Sequence, residues 1–415
     1  MNLELGINIA GHINGDFGLG AGVRTSIKSI KASKIPYVLN DLCIPGAANS
    51  DKTYTNFSLD NPHPINFIHT NPNWLNHGIN RGLFPILRPE YFQGKYNIGY
   101  WAWELLEIPQ EWEVAFSFFD EIWTPSSYAT EAVANVSPVP VIKMPHSINL
   151  KQPSFDRQDL GLPEDKFIFL FTFDFGSSFE RKNPIATIEA FKKAFGENNQ
   201  DVILVVKYYN NQEYPMQTEL LNRAIEGCSS IHPINTYLSR DKLNSLLYNC
   251  DCYVSLHRSE GFGLTMAEAM YYGKPVIATA YSANTDYMNV GNSYLVSYDL
   301  VATEENYGCY PKGSIWADAD VDRAAWLMRD VFENQEQAKA IGQRASKDVK
   351  QNLSPQAVGN KMKERLEIII QSIQNGDVAE DRRWFEFEAK EWRHKAIEAH
   401  QKRQQIQEQL ELAAI

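Results

Sequence analysis

Long apolar runs are missing from this 415-residue chain. The longest are short, such as 167–171 in KFIFLFTF, far from the roughly 20 residues that a membrane-crossing helix needs, so no integral membrane span is expected. The opening MNLELGINIAGHINGD has no basic segment followed by an apolar core, and no secretory leader is expected; the reading is cytoplasmic. Positive charge is also short. With 39 Lys and Arg against 51 Asp and Glu, the formal net charge is −12, the wrong sign for a protein whose main affinity is for phosphate backbones or anionic lipid, so no nucleic-acid partner is expected. Cysteine is scarce and unpatterned. The five, at 43, 228, 250, 252 and 309, form no Cys-x-x-Cys and have no paired histidines, which argues against structural zinc and fits a reduced compartment. Cys250 and Cys252, in NCDCYVSL, read as buried thiols on one face of a strand.

What is present is ordinary globular material. Hydrophobic residues make up 44 % and charged residues 22 %, and the length predicts two domains, each with a sizeable core. Short β-type runs alternate with helical stretches: LELGINIAG, AGVRTSIKSIKAS, IPYVLND, INFIHT, KYNIGYWAW, DEIWTPS and PVIKMP. This alternation predicts a parallel sheet with crossover helices. A polar, proline-interrupted break falls at about 147–166. The rhythm then restarts with KFIFLFTFDF, NPIATIEAFKKAF, DVILVVKYY, DKLNSLLYNC, CYVSLH, LTMAEAMYYG and KPVIATA. Two α/β lobes in tandem are expected, at 1–150 and 151–375, followed by a helical tail at 376–415. The tail begins with Trp384, Phe385, Phe387 and Trp392 and ends almost wholly polar. It reads as a helix docked through its first turns, with binding of a protein partner through 380–415 as the alternative.

Two stretches carry chemistry. The first, FGLGAGVR, places Gly18, Gly20 and Gly22 between a strand and a helix, where glycine lets the backbone approach a ligand and a helix N-terminus favours anions. A dinucleotide fingerprint is incomplete, because its third small residue is Val23, although Asp41 imitates the ribose-binding acid. A tight strand–helix turn and a loop facing another site both remain open. The second, HRSEGFGLTMAEAMYYGKPVIATA, places Glu260 before Gly261, Phe262 and Gly263, with a helix from about Leu264 and Glu268 eight residues after Glu260. At about 1.5 Å per helical residue, the carboxylates could lie up to roughly 12 Å apart. That is too far for a retaining glycosidase pair, which sits about 5–5.5 Å apart. The separation does suit the two ends of a nucleotide sugar, with the N–H groups around Gly263, Leu264 and Thr265 receiving the diphosphate between them. By spacing alone, a loop acid and a surface helix acid fit equally well.

Glu-Gly-Phe-Gly-Leu, followed by Glu-Ala-Met and Gly-Lys-Pro-Val-Ile-Ala, resembles the E-x7-E signature of the family 4 glycosyltransferases. These are retaining enzymes of the GT-B architecture, in which two Rossmann-like domains face each other. FGLGAGVR, MPHSINL, FDFGSSFERKNPIATIEAFKKAF and YLSRDKLNSLLYNCDCYVSLHRSEGFG occur in the expected order. The resemblance covers roughly 5–375 and is stronger after 165. YWAWELLEIPQEW and FDEIWTPSSYATEAV are similar to a subgroup met in bacterial surface-polysaccharide synthesis, which implies work at the inner membrane face.

The resemblance implies that Glu260 contacts the donor sugar, Glu268 holds the ribose and Lys182 neutralises the leaving diphosphate. Gly18, Gly20, Gly261, Phe262, Gly263, Leu264 and Thr265 complete the implied donor site. The Arg that the family commonly places five residues before its Lys is Ser177 here. The second cation is therefore Arg181, Lys207 or Arg24, with Lys207 favoured because ligands bind beyond the carboxyl ends of strands. The family's first-lobe His is replaced by Trp103-Glu104. Glu104 is the candidate acid on the acceptor side, and His69 is its competitor. The implied reaction moves a hexose from a nucleoside-diphosphate sugar to a saccharide or lipid-linked acceptor, with no cofactor and no metal. Asp318 and Asp320 in WADADVDRAA read as a helix cap rather than a metal site. A noncatalytic carbohydrate- or nucleotide-binding subunit and an NAD-dependent oxidoreductase are the alternatives.

Overall fold

A computed structural model describes residues 4–43, 49–80 and 84–376. The tail expected at 376–415 lies outside them but for Gly376. Six strands, β1 (Ile7–Gly11), β2 (Tyr37–Asp41), β3 (Ile65–His69), β4 (Tyr96–Tyr100), β5 (Glu121–Thr124) and β6 (Val141–Lys143), form a parallel sheet in the order β2-β1-β3-β4-β5-β6. A second parallel sheet, in the order β12-β11-β10-β7-β8-β9, contains β7 (Phe167–Thr172), β8 (Val202–Tyr208), β9 (Ile231–Asn235), β10 (Cys252–Ser255), β11 (Val276–Thr279) and β12 (Tyr294–Val296). β13 (Tyr298–Ala302) and β14 (Ile315–Ala319) form a separate antiparallel hairpin.

The burial explains the sequence pattern. β1, β3, β4 and β8 are buried at every position, as expected where helices cover both faces of a parallel sheet and apolar residues need not alternate with polar ones. β9 carries Pro233 and alternates in exposure, which an edge strand tolerates because one side needs no ladder donor.

Registers such as Ile9↔Phe67 and Phe67↔Ile98 align the strands of the first sheet. Those of the second align through Phe171↔Val206 and Val254↔Ile277. Segments beyond the carboxyl ends of the two sheets meet across a cleft. Ser126 Oγ donates to the Gly261 carbonyl at 2.9 Å, the Ser127 N–H donates to Asp286 at 2.7 Å, and the Tyr128 and Tyr281 hydroxyls meet at 2.8 Å.

The helix Gln335–Asn352 packs on the second lobe, with Ile341, Ala345 and Val349 buried. The next helix, Pro355–Asn375, returns to the first lobe. Its Val358, Met362, Leu366, Ile369 and Ile370 join Ile7, Ile9, Val23 and Ile27 in one core. A Cβ at Gly359 would collide with the Ser29 carbonyl oxygen. Arg365 pairs with Glu121, a fully buried β5 carboxylate that also accepts from Tyr96 and Trp123. No described helix is long and apolar enough to cross a membrane.

Candidate functional site

The chain leaves β1 through His12–Asp16 and enters the helix Gly18–Ala32 at its glycines. Gly18 borders open space, whereas a Cβ at Gly20 would strike the Gly15 carbonyl oxygen. Gly20 therefore serves the packing of the turn on itself. Asp41 accepts from the main-chain N–H and side-chain amide of Asn14, both at 3.2 Å, and pins the same loop. The ribose-binding part suggested by a dinucleotide reading is thus already engaged. Arg24 donates to the Ile13 and Gly15 carbonyls at 2.8 Å and pairs with Asp51 at 3.2 Å.

Opposite, the loop after β7 ends in a four-residue turn of helix, Phe179–Lys182, whose N-cap Ser178 accepts from the Arg181 N–H. This places Arg181 and Lys182 against Glu260, which follows β10. Lys182 Nζ bonds Glu260 Oε1, and Arg181 lies 3.4 Å from the same oxygen. Arg181 also donates to the Ser259 and Ser177 carbonyls at 2.9 Å. Burial alone would raise the Glu260 carboxyl, but Lys182, Arg181 and His257 outweigh it and pull it down to about 2. Burial lowers the Lys182 ammonium, and Glu260 offsets part of that effect. The cation paired with Lys182 at Glu260 is thus Arg181. Lys207, in β8, lies over the Tyr209 ring at 4.5 Å, and burial lowers it to about 8, with Asp174 opposing.

Gly263 opens the helix Leu264–Tyr271 at φ +83°, a conformation that favours glycine, and no side chain caps the helix. A Cβ there would also approach the Tyr287 hydroxyl to 2.8 Å, and one at Gly261 would come within 3.0 Å of the Trp103 carbonyl oxygen in the other lobe. The first N–H groups of this helix, at Leu264 and Thr265, are left without a capping side chain, a ready-made anion site. The Phe262 ring packs edge-on against His146 at 5.0 Å. Further along the helix, Glu268 pairs through Oε1 with Arg240, and its buried Oε2 has no hydrogen-bond partner among the described residues.

Glu104, beyond β4, is brought to the same cleft. Its main-chain oxygen accepts from Ser259 Oγ, and its Oε2 accepts from the Tyr310 hydroxyl at 3.1 Å. His69 is fully buried and stacks on Tyr100 at 4.1 Å; burial holds its imidazole well below the usual range. Asp320 caps the helix Val321–Glu333, and Asp318 pairs with Arg258 at 2.9 Å. Tyr310 and Arg240 escaped the sequence reading. No motif flags either one, since each reaches the site only through tertiary contacts.

Two facing Rossmann-like sheets with this cleft between them define a protein of the GT-B architecture. Residues 153–348 match the family described as glycosyl transferases group 1. Among curated proteins no sequence matches the chain. Solved structures are similar in fold at low identity. HepE (Alr3699) of Anabaena, in complex with UDP and glucose, shares 13 % identity over 88 % of this chain and 100 % of its own, with a TM-score of 0.61. Sucrose-phosphate synthase of Thermosynechococcus elongatus shares 15 % over 89 % and 100 %, with a TM-score of 0.63. A glycosyltransferase of Rickettsia africae shares 14 % over 88 % and 99 %, with a TM-score of 0.61.

Proposed function

We propose that this chain is a retaining, metal-independent hexosyltransferase that uses a nucleoside-diphosphate sugar and a saccharide or lipid-linked acceptor, in bacterial polysaccharide or glycoconjugate synthesis. The observation that carries the reading is the buried cluster of Lys182, Arg181 and Glu260 beside the uncapped helix Leu264–Tyr271. In a transfer, the acceptor oxygen bonds to the anomeric carbon as the bond from that carbon to the diphosphate breaks, and the hydroxyl proton leaves with the diphosphate. The charge develops on the diphosphate, where fixed cations and backbone N–H groups are worth most. Glu260, held ionised, meets the sugar; Glu268 offers its unpartnered oxygen to the ribose; Glu104 faces the acceptor.

The HepE structures contain UDP, glucose or UDP-glucose, so uridine diphosphate is the first nucleotide to try. A thermal-shift series with UDP, GDP, ADP, TDP and NAD tests class and base together. Stabilisation by one nucleoside diphosphate supports the reading, and stabilisation by NAD alone overturns it. The anomeric configuration of the product, read by NMR, then tests retention.

A further inference from the structure

The hairpin β13–β14 belongs by sequence to the second lobe, yet Val301, Tyr307, Tyr310 and Trp316 pack with Trp101, Trp103 and Trp112 of the first. Tyr307 stacks on Trp316 at 5.4 Å and 18°. At the turn, the Tyr310 ring lies 5.6 Å from that of Trp103 and 5.8 Å from the Arg181 guanidinium. Its hydroxyl reaches Glu104 Oε2 at 3.1 Å. From this geometry we propose that Tyr310 is a positioning residue for the acceptor. It ties down one oxygen of Glu104 and leaves the other to accept a hydrogen bond from the incoming hydroxyl.

The inference rests on the reading of the cleft as a sugar-transfer site. Tyr310 is 5 % exposed, and a phenol withdrawn from water needs a partner, which Glu104 supplies. Burial raises this phenol well above its usual range, so at neutral pH it donates and Glu104 accepts. Glu104 is therefore held twice from the second lobe, at its main chain by Ser259, the neighbour of Glu260, and at its carboxylate by Tyr310. Oε1 accepts no hydrogen bond among the described residues. The same ring borders Arg181, so the hairpin touches the acceptor acid and the donor cation together. Glu104 only orients the hydroxyl, and it ends the step a carboxylate, as it began.

The test is a double-mutant cycle on the full chain with Tyr310→Phe, Glu104→Gln and the pair. The readouts are hydrolysis of the best-binding nucleotide sugar among UDP-glucose, UDP-N-acetylglucosamine and GDP-mannose, with water as the acceptor, and the Kd for the matching nucleoside diphosphate. Tyr310→Phe should slow turnover about tenfold and leave Kd within about twofold. In the Glu104→Gln background it should cost nothing further, because residues that act through one another are not additive. Equal losses in both backgrounds, no loss from Tyr310→Phe, or a matching loss of nucleotide affinity would each overturn the proposal. Full turnover by Glu104→Gln would overturn it too, while leaving the transferase reading intact. A native chain that binds none of the nucleotides fails that underlying reading instead.

Discussion

Removing the Lys182 ammonium tests what holds Glu260 in place. In Lys182→Met the carboxylate remains buried, with side chains only 19 % and 11 % exposed in the native pair, and keeps Arg181 at 3.4 Å. At an effective dielectric of about 20, each such pairing is worth roughly 4–5 kcal/mol before desolvation. Breaking a buried pair costs about 3–5 kcal/mol overall. With Arg181 still present, the lower end is expected, about 3 kcal/mol. Urea unfolding at pH 7 should show that loss, and Lys182→Met/Glu260→Gln should recover at least about 1 kcal/mol of it, because a carboxamide needs no counter-charge. The sign with pH follows from the lowered Glu260. The stability it contributes is present above its ordinary value of 4.5 and lost as the pH falls toward about 2, so the gap between native protein and Lys182→Met should shrink over that range. Transfer by Lys182→Met should fall about 10²–10³-fold, the usual penalty for losing one group that meets developing negative charge. A double variant as unstable as the sum of its parts would refute the idea that the two side chains are electrostatically coupled.

Because Lys207 lies over the Tyr209 ring and Arg181 is the cation at Glu260, Lys207→Met should leave the Kd for UDP, read by calorimetry, within about twofold. Glu268→Ala should weaken nucleotide binding by about 1–3 kcal/mol, as for loss of a charged hydrogen-bonding group, again read by calorimetry. Gly359→Val should lower stability by about 1–3 kcal/mol through its clash with Ser29, measured as a drop in Tm. Transfer should persist in excess EDTA, and an absolute need for added Mn²⁺ or Mg²⁺ would count against fixed cations as the partners of the diphosphate.

Much of this architecture was legible because parallel strands buried on both faces write themselves as unbroken apolar runs. VILVVKY, all seven residues of it buried, is the clearest case. The stretch from Glu260 to Glu268 was legible because left-handed backbone at Gly263 and close approach at Gly261 demand particular residues. The glycine turn before the first helix was harder. Its glycines read as room for a ligand, whereas Gly20 makes room for the Gly15 carbonyl oxygen, and no local pattern separates the two uses. The hairpin went unread for a related reason: Val301 and Trp316 pack against residues some 200 positions earlier in the chain, so neither composition nor period announces that they lie there. Arg240 was likewise invisible, since only the folded chain brings it to Glu268.

The return of the helix Pro355–Asn375 to the first sheet makes the order of synthesis matter. The strands of that sheet are complete by Lys143, yet the apolar face that Val358, Met362, Leu366, Ile369 and Ile370 will cover stays open while the intervening two hundred or so residues are made. At about 5–20 residues per second, that interval lasts on the order of 10–40 s on the ribosome. During it the nascent first lobe presents a bare hydrophobic groove beside a β5 carboxylate, Glu121, that still awaits Arg365. A fragment stopped before the helix should therefore remain sticky and dependent on chaperones. A circular permutant that begins with this helix would supply the missing wall first, and its first lobe could close as soon as β6 left the ribosome.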